Sequence, residues 1–279
     1  MHHYFVYDVF TETRFGGNQL AIFPKAESIP EGELQGIAAE FNFSEVTFVY
    51  PPETPGHTAR VRIFTPTMEI PFAGHPTIGT AKALADLGHG PDMVLELGIG
   101  ALPCTAGPQG ARFTTSAPLE RLATPDPALV ARALGLSPDQ IDQSNHAPTL
   151  ASVGLPFTLT ALKTRADLVA CQPDLAAFRD GAKAHPQGLD FAQFAYVREG
   201  DTCHARMFAP LDNIPEDPAT GSACAALAAF LCDLEGAPLS LTVHQGEDMG
   251  RPSLIRLTTD GTSVTVAGQA LRIMEGSVL

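Results

Sequence analysis

A repeated device constrains this chain more than any average property does. In residues 62–84, RIFTPTMEIPFAGHPTIGTAKAL, and 206–231, RMFAPLDNIPEDPATGSACAALAAFL, the residues Arg62, Phe64, Pro66, Ile70 and Pro71 recur 144 positions later as Arg206, Phe208, Pro210, Ile214 and Pro215. Each copy runs from an apolar strand through a Pro-rich turn to a Gly-polar step, Gly74-His75 or Gly221-Ser222, where helical spacing begins. After Gly221, the residues Cys224, Leu227, Ala228 and Leu231 fall at i, i+3, i+4 and i+7; Ile78, Ala81, Leu84 and Ala85 mark a similar stripe in the first copy. Such spacing turns one helix face to a core. Helix N-termini leave backbone N–H groups unpaired and carry partial positive charge, and glycine lets a ligand approach the main chain closely. Two such ends at a domain interface would hold an organic anion with little water. Either copy alone would pass for an ordinary strand-to-helix turn; the repetition is what argues against that.

At 279 residues, with 44% hydrophobic and 17% charged residues, the chain can fill two cores, and the repeat predicts two similar domains. A net charge of −14 with no Lys/Arg run disfavours nucleic acid and anionic membrane surfaces as partners. The cysteines Cys104, Cys171, Cys203, Cys224 and Cys232 are odd in number and lack CxxC spacing, so neither a disulfide framework nor a metal site is expected, and a reducing cytoplasm fits. The start, MHHYFVYDVF, reads as a first strand rather than a signal sequence. No apolar run approaches the ~18 residues of a transmembrane helix.

Residues 4–10 read as a strand that turns through Gly16-Gly17 and returns, with Asn18 at the hairpin tip, where its amide either caps the turn or meets a ligand. Residues 30–41 have the pattern of a helix and 43–50 that of a strand, with Ser44-Glu45 at its head. Glu45 is then either a solvated strand end or a buried carboxylate with its pKa raised by desolvation. Strands are expected at 93–97 and 111–116, with a turn over 98–110 between them, and Pro118 and the TPDP at 124–127 read as a crossing between domains. Helices are expected at 127–135, 137–143, 164–170 and 173–184. Strands are expected at 149–153, 156–162, 188–197 and 203–209, and in three β-rich tail segments, PLSLTVHQ, SLIRLTTD and SVTVAGQA. The fold class is α+β: two domains of mixed, mostly antiparallel sheet, each wrapped about the helix of its device, over 1–118 and 119–279, with the last strand free to cross back to the first domain.

FTETRFGGNQLAIF, FSEVTFVY, the two devices and HQGEDMGRPS together resemble the phenazine-biosynthesis isomerase (PhzF-like) family across essentially the whole chain. That resemblance implies the diaminopimelate epimerase fold, two pseudo-symmetric domains with the site in the cleft between them, no metal or organic cofactor, and commonly a homodimer. It implies the acid/base role for Glu45 and catalytic roles for His75 and Asp217, with Ser222 beside them. Diaminopimelate epimerase and its relatives use a cysteine at each device; the first device here has none, and Cys224 reads as a small buried residue.

The chemistry these residues permit is proton movement on a small organic acid. Glu45 would serve as base and then acid, while His75 and Asp217 would orient the substrate and share protons. Asn18, Gly74, Gly221 and Ser222 would bind it, the main-chain N–H groups and the Ser222 hydroxyl holding negative charge as it develops. Hydrolysis by Ser222, His75 and Asp217 is disfavoured because no G-x-S-x-G elbow is present. A non-catalytic organic-acid binding protein is the alternative, against which stands Glu45, since a second carboxylate would repel the ligand's own. Arg62, Arg206 and Arg251 are expected to pair with local acids more readily than with a substrate.

Overall fold

The computed structural model describes residues 1–187 and 190–279. Contacts divide the chain into two compact units, Met1–Thr115 with Thr265–Leu279, and Ser116–Val264.

The first unit opens with β1 (His2–Val9) and β2 (Asn18–Phe23), an antiparallel hairpin that closes where Val9 opposes Asn18. Gly17 makes that closure possible: its φ is 64°, and a Cβ there would lie 2.3 Å from the Val9 carbonyl oxygen. A 3₁₀ turn leads into α1 (Leu34–Phe41), which ends at Asn42 in the left-handed region. The helix carries the chain to β3 (Glu45–Tyr50), parallel to β2. Next come β4 (Ala59–Phe64), antiparallel to β3, a short β5 (Glu69–Ile70), and α2 (Gly74–Asp86). Then β6 (Asp92–Leu97) lies parallel to β4, followed by β7 (Gly100–Gly107) and β8 (Gly110–Thr115). Phe23, Phe48 and Phe64 form an aromatic core with Tyr4 and Phe41 under α1, each fully buried ring contributing roughly 1.5–3 kcal/mol.

The second unit repeats this order. It contains β9 (Glu120–Ala123), α3 (Pro127–Ala133), β10 (Thr149–Ser152), β11 (Pro156–Ala161), α4 (Arg165–Ala170) and α5 (Leu175–Ala184). These are followed by β12 (Gln193–Glu199), β13 (Thr202–Ala209), β14 (Ile214–Asp217), α6 (Gly221–Glu235), β15 (Leu239–Gln245) and β16 (Ser253–Thr259). The β11–β12, β12–β13, β13–β14 and β13–β15 pairings match β2–β3, β3–β4, β4–β5 and β4–β6 in both order and direction. The chain ends with β17 (Val264–Gly268) and β18 (Ala270–Val278), and β18 pairs antiparallel with β1.

Each unit is thus a mixed, mostly antiparallel sheet curled about one helix. Helix α2 packs against β1, β2, β3, β7, β8 and β18; helix α6 packs against β10, β11, β15 and β16. Both are buried over most of their length, which is why their sequences favour small residues. At Gly79 of α2 a Cβ would come within 2.5 Å of Leu20 and 2.8 Å of Val9.

Four expectations need correction. The turn assigned to 98–110 contains the strand β7: Gly100, Pro103 and Gly107 read as turn residues, yet Pro103 sits one position past the end of the β7–β8 pairing. Its missing N–H therefore interrupts no bond to β8. The helix assigned to 137–143 is only a 3₁₀ turn over Pro138–Gln140, closed by a Ser137/Gln140 capping box, and Ile141 is already extended and bridged to Leu162. No strand was expected over 270–278, where charges and Gly276 obscure the alternation of a strand paired to β1. The strand expected from 188 begins at Gln193; residues 188–189 lie outside the described residues.

Candidate active site

Three residues distant in sequence converge in the first unit. Glu45 heads β3, His75 is the second residue of α2, and Asn18 heads β2. The ring nitrogen Nδ1 of His75 lies 3.2 Å from Glu45 Oε2 and is hydrogen-bonded to Asn18 Nδ2, also at 3.2 Å. All three side chains are withdrawn from solvent, with His75 3% and the Glu45 side chain 12% exposed. The neighbouring strands and helix hold this placement. The Thr80 hydroxyl donates to Thr47 Oγ1 at 3.1 Å, tying α2 to β3, and the Thr77 hydroxyl donates to the Ala73 carbonyl at 2.8 Å in the first turn of α2.

Burial pushes the His75 pKa down to about 3, against a smaller opposing effect from the backbone of Gln19. The ring is therefore neutral at ordinary pH, and its approach to Glu45 is not a salt bridge. Because the Asn18 amide nitrogen can only donate, Nδ1 is the acceptor and the proton of the neutral ring is on Nε2, so a proton held between Nδ1 and Glu45 Oε2 across 3.2 Å is one that the Glu45 carboxyl carries. His75 Nε2 is also buried and has no hydrogen-bond partner among the described residues.

In the second unit, Asp217 ends β14, and Gly221-Ser222 open α6. Asp217 is 3% and Ser222 6% exposed. Thr220 stands at the N-cap position of α6, but its hydroxyl does not cap the helix: it donates to Asp217 Oδ2 at 2.5 Å. Gln245, at the end of β15, joins the group, its Nε2 donating to the Asp217 carbonyl at 2.7 Å and to Thr220 Oγ1 at 2.9 Å. Its Oε1 accepts from the Thr220 N–H at 3.1 Å. Thr220 and Gln245 were not singled out from sequence, although both lie inside segments that carried the family resemblance. In α2 the N-cap position is Ala73, which has no group to cap with, so neither Gly-polar helix start is capped by a side chain.

Two of the three candidate arginines pair with local acids, as expected. Arg62 makes a two-pronged bond to Glu69, and Arg206 makes the same bond to Glu216; each guanidinium also lies over the Phe two residues on. Cys224 is fully buried, and burial first of all raises its thiol pKa well above the usual range, which removes it from nucleophilic chemistry. Among the described residues no group of three or more His, Cys, Asp or Glu is placed to hold a metal, and no helix is long and apolar enough to cross a membrane.

Residues 7–276 match the family described as phenazine biosynthesis-like protein (PhzC-PhzF). The chain belongs to this family. It is 37% identical to an uncharacterized isomerase of Mesorhizobium japonicum, over 99% of this chain and 98% of that protein. It is 33% identical to a trans-2,3-dihydro-3-hydroxyanthranilate isomerase of Pseudomonas aeruginosa, over 99% of each. The crystal structure of a Bacillus anthracis phenazine biosynthesis protein of the PhzF family shares the fold, with a TM-score of 0.87, 24% identity, and coverage of 100% of this chain and 99% of that one. This chain is accordingly an isomerase of the PhzF-like family.

Proposed function

We propose that this PhzF-like enzyme moves a carbon-bound proton on a small organic acid, without a cofactor, and that Glu45 takes the proton and returns it. The observation that carries the proposal is the Glu45–His75–Asn18 group: a shielded carboxylate whose neighbour is a neutral histidine held by an amide. A shielded base returns its proton to the substrate rather than losing it to water. Asn18 orients the ring, and His75 shares the proton with Glu45. Asp217 orients the substrate, and the main chain at Gly74 and Gly221 together with Ser222 holds its negative charge.

That residues of both devices serve one substrate, in a cleft between domains divided near residue 118, is part of the same proposal and rests on the repeated sequence. So does a homodimer, which sedimentation velocity would test. The substrate class follows from the helix starts, which favour an anion, and trans-2,3-dihydro-3-hydroxyanthranilate, named for the Pseudomonas aeruginosa relative, is the first compound to try within a panel of hydroxylated and amino acids.

The test is exchange in deuterated water. Wild type should wash label into a substrate carbon, and Glu45→Gln, which keeps the shape of the side chain, should lose about 10²- to 10⁴-fold in rate while retaining ligand affinity. A Gln variant that exchanges as fast as wild type would remove Glu45 from the mechanism.

A further inference from the structure

We infer that Gln245 and Thr220 are positioning residues that fix Asp217, and that the HQGEDMGRPS segment exists to place Gln245. This rests on the reading of Asp217 as a substrate-orienting group.

The hydrogen bonds around Gln245 admit one arrangement. Its Nε2 faces two acceptors, the Asp217 carbonyl at 2.7 Å and Thr220 Oγ1 at 2.9 Å, and its Oε1 faces one donor, the Thr220 N–H at 3.1 Å. Turning the amide over would set its oxygen against the Asp217 carbonyl and its nitrogen against the Thr220 N–H, an acceptor against an acceptor and a donor against a donor. Because Thr220 Oγ1 already accepts from Gln245, its single proton is directed to Asp217 Oδ2, 2.5 Å away. Gln245 is 1%, Asp217 3% and Thr220 7% exposed, so water competes little for these bonds. The amide thus determines which way the hydroxyl points, and the hydroxyl holds one oxygen of the carboxylate.

The backbone after Gln245 is built to the same end. Gly246 has φ 73°, and a Cβ there would lie 2.4 Å from the Arg251 carbonyl oxygen and 2.7 Å from that of Pro218, the residue after Asp217. The loop that follows Gln245 therefore lies directly on the loop that follows Asp217, and only glycine permits the approach. The Arg251 N–H donates to the Gly246 carbonyl at 3.0 Å and closes the turn. Helix capping alone would need none of this, since Thr220 would then spend its oxygen on α6.

The experiment follows the ¹³Cγ resonance of Asp217 in the full-length protein, which needs no substrate. Gln245→Glu places an acceptor where Nε2 donates, so the Thr220 hydroxyl turns away from Asp217. The Asp217 signal should move in the same direction as in Thr220→Val, with Thr220→Ser restoring the wild-type position. In exchange assays with trans-2,3-dihydro-3-hydroxyanthranilate, Thr220→Val should lower kcat by about 10²-fold, as a misplaced group does. It should lower it no further in an Asp217→Asn background, because Thr220 acts through Asp217. An Asp217 signal unmoved by Gln245→Glu, or by Thr220→Val should the first variant not fold, overturns the inference. An Asp217→Asn variant that exchanges at the wild-type rate overturns the functional reading instead and leaves the positioning result standing.

Discussion

At the scale of single residues, His75 shows how burial selects a chemical form. Its pKa of about 3 lies below the ordinary value near 6.5, so the unfolded chain binds a proton that the folded protein refuses. His75 therefore costs no stability above about pH 6.5, and the folded state loses stability progressively as pH falls from there toward 3. At about 1.4 kcal/mol per pH unit, the loss reaches a few kcal/mol at the bottom of that window. Denaturant unfolding at pH 7 and pH 4 should show wild type losing more stability than His75→Gln, which cannot titrate. Equal losses would mean that the ring takes up a proton without leaving its site. The same burial keeps beside Glu45 a neutral imidazole, with one nitrogen that donates and one that accepts, and disfavours its charged form.

At the scale of elements, the two devices share a scaffold and differ in what it carries. Both have an Arg fork on a Glu and over a Phe, at Arg62–Glu69 and Arg206–Glu216. The second pair is more enclosed, its side chains 11% and 16% exposed against 20% and 43% for the first. Arg206 also donates to the carbonyls of Leu168, Val169 and Cys171. Double-mutant cycles should accordingly give a coupling of roughly 1 kcal/mol or less for Arg62–Glu69 and a clearly larger one for Arg206–Glu216. The proposed acid/base group, by contrast, is not duplicated. Phe48 opposes Arg62 on β3–β4 and Ala195 opposes Arg206 on β12–β13, so the position of Glu45, three residues back from Phe48, corresponds to Ala192. The second device instead has three more residues between its Pro and its Gly, and these include Asp217.

At the scale of the whole molecule, the chain crosses its own repeat. The first unit takes its last strand from the far end of the sequence, β18, which pairs along the full length of β1 from His2–Val278 to Val9–Ala270. The second unit is continuous from Ser116 to Val264. A fragment of residues 1–115 should therefore leave β1 with an unpaired edge and show little cooperative unfolding by circular dichroism. A fragment of 116–264 should unfold cooperatively, and supplying 265–279 as a peptide should stabilise the first fragment. A cooperative transition for 1–115 alone would show that β18 is dispensable.

The sequence by itself determined what depends on near neighbours. Gly74 and Gly221 stand at the starts of their helices as expected, because a small residue followed by a 3.6-residue apolar stripe is a local signal. Glu45 heads its strand for the same reason, at the point where β-branched and aromatic residues begin. The tertiary structure decided whatever joins distant residues. Nothing near Asn18 indicates that its amide reaches a ring 57 positions away, and nothing near Gln245 points to Thr220, 25 positions back. Strand β7 was hidden by glycines and a proline that only its neighbours make harmless, and β18 by having a partner at the opposite end of the chain. A hydrogen bond leaves no trace in the spacing along one strand or helix when its two ends are brought together by the packing of several.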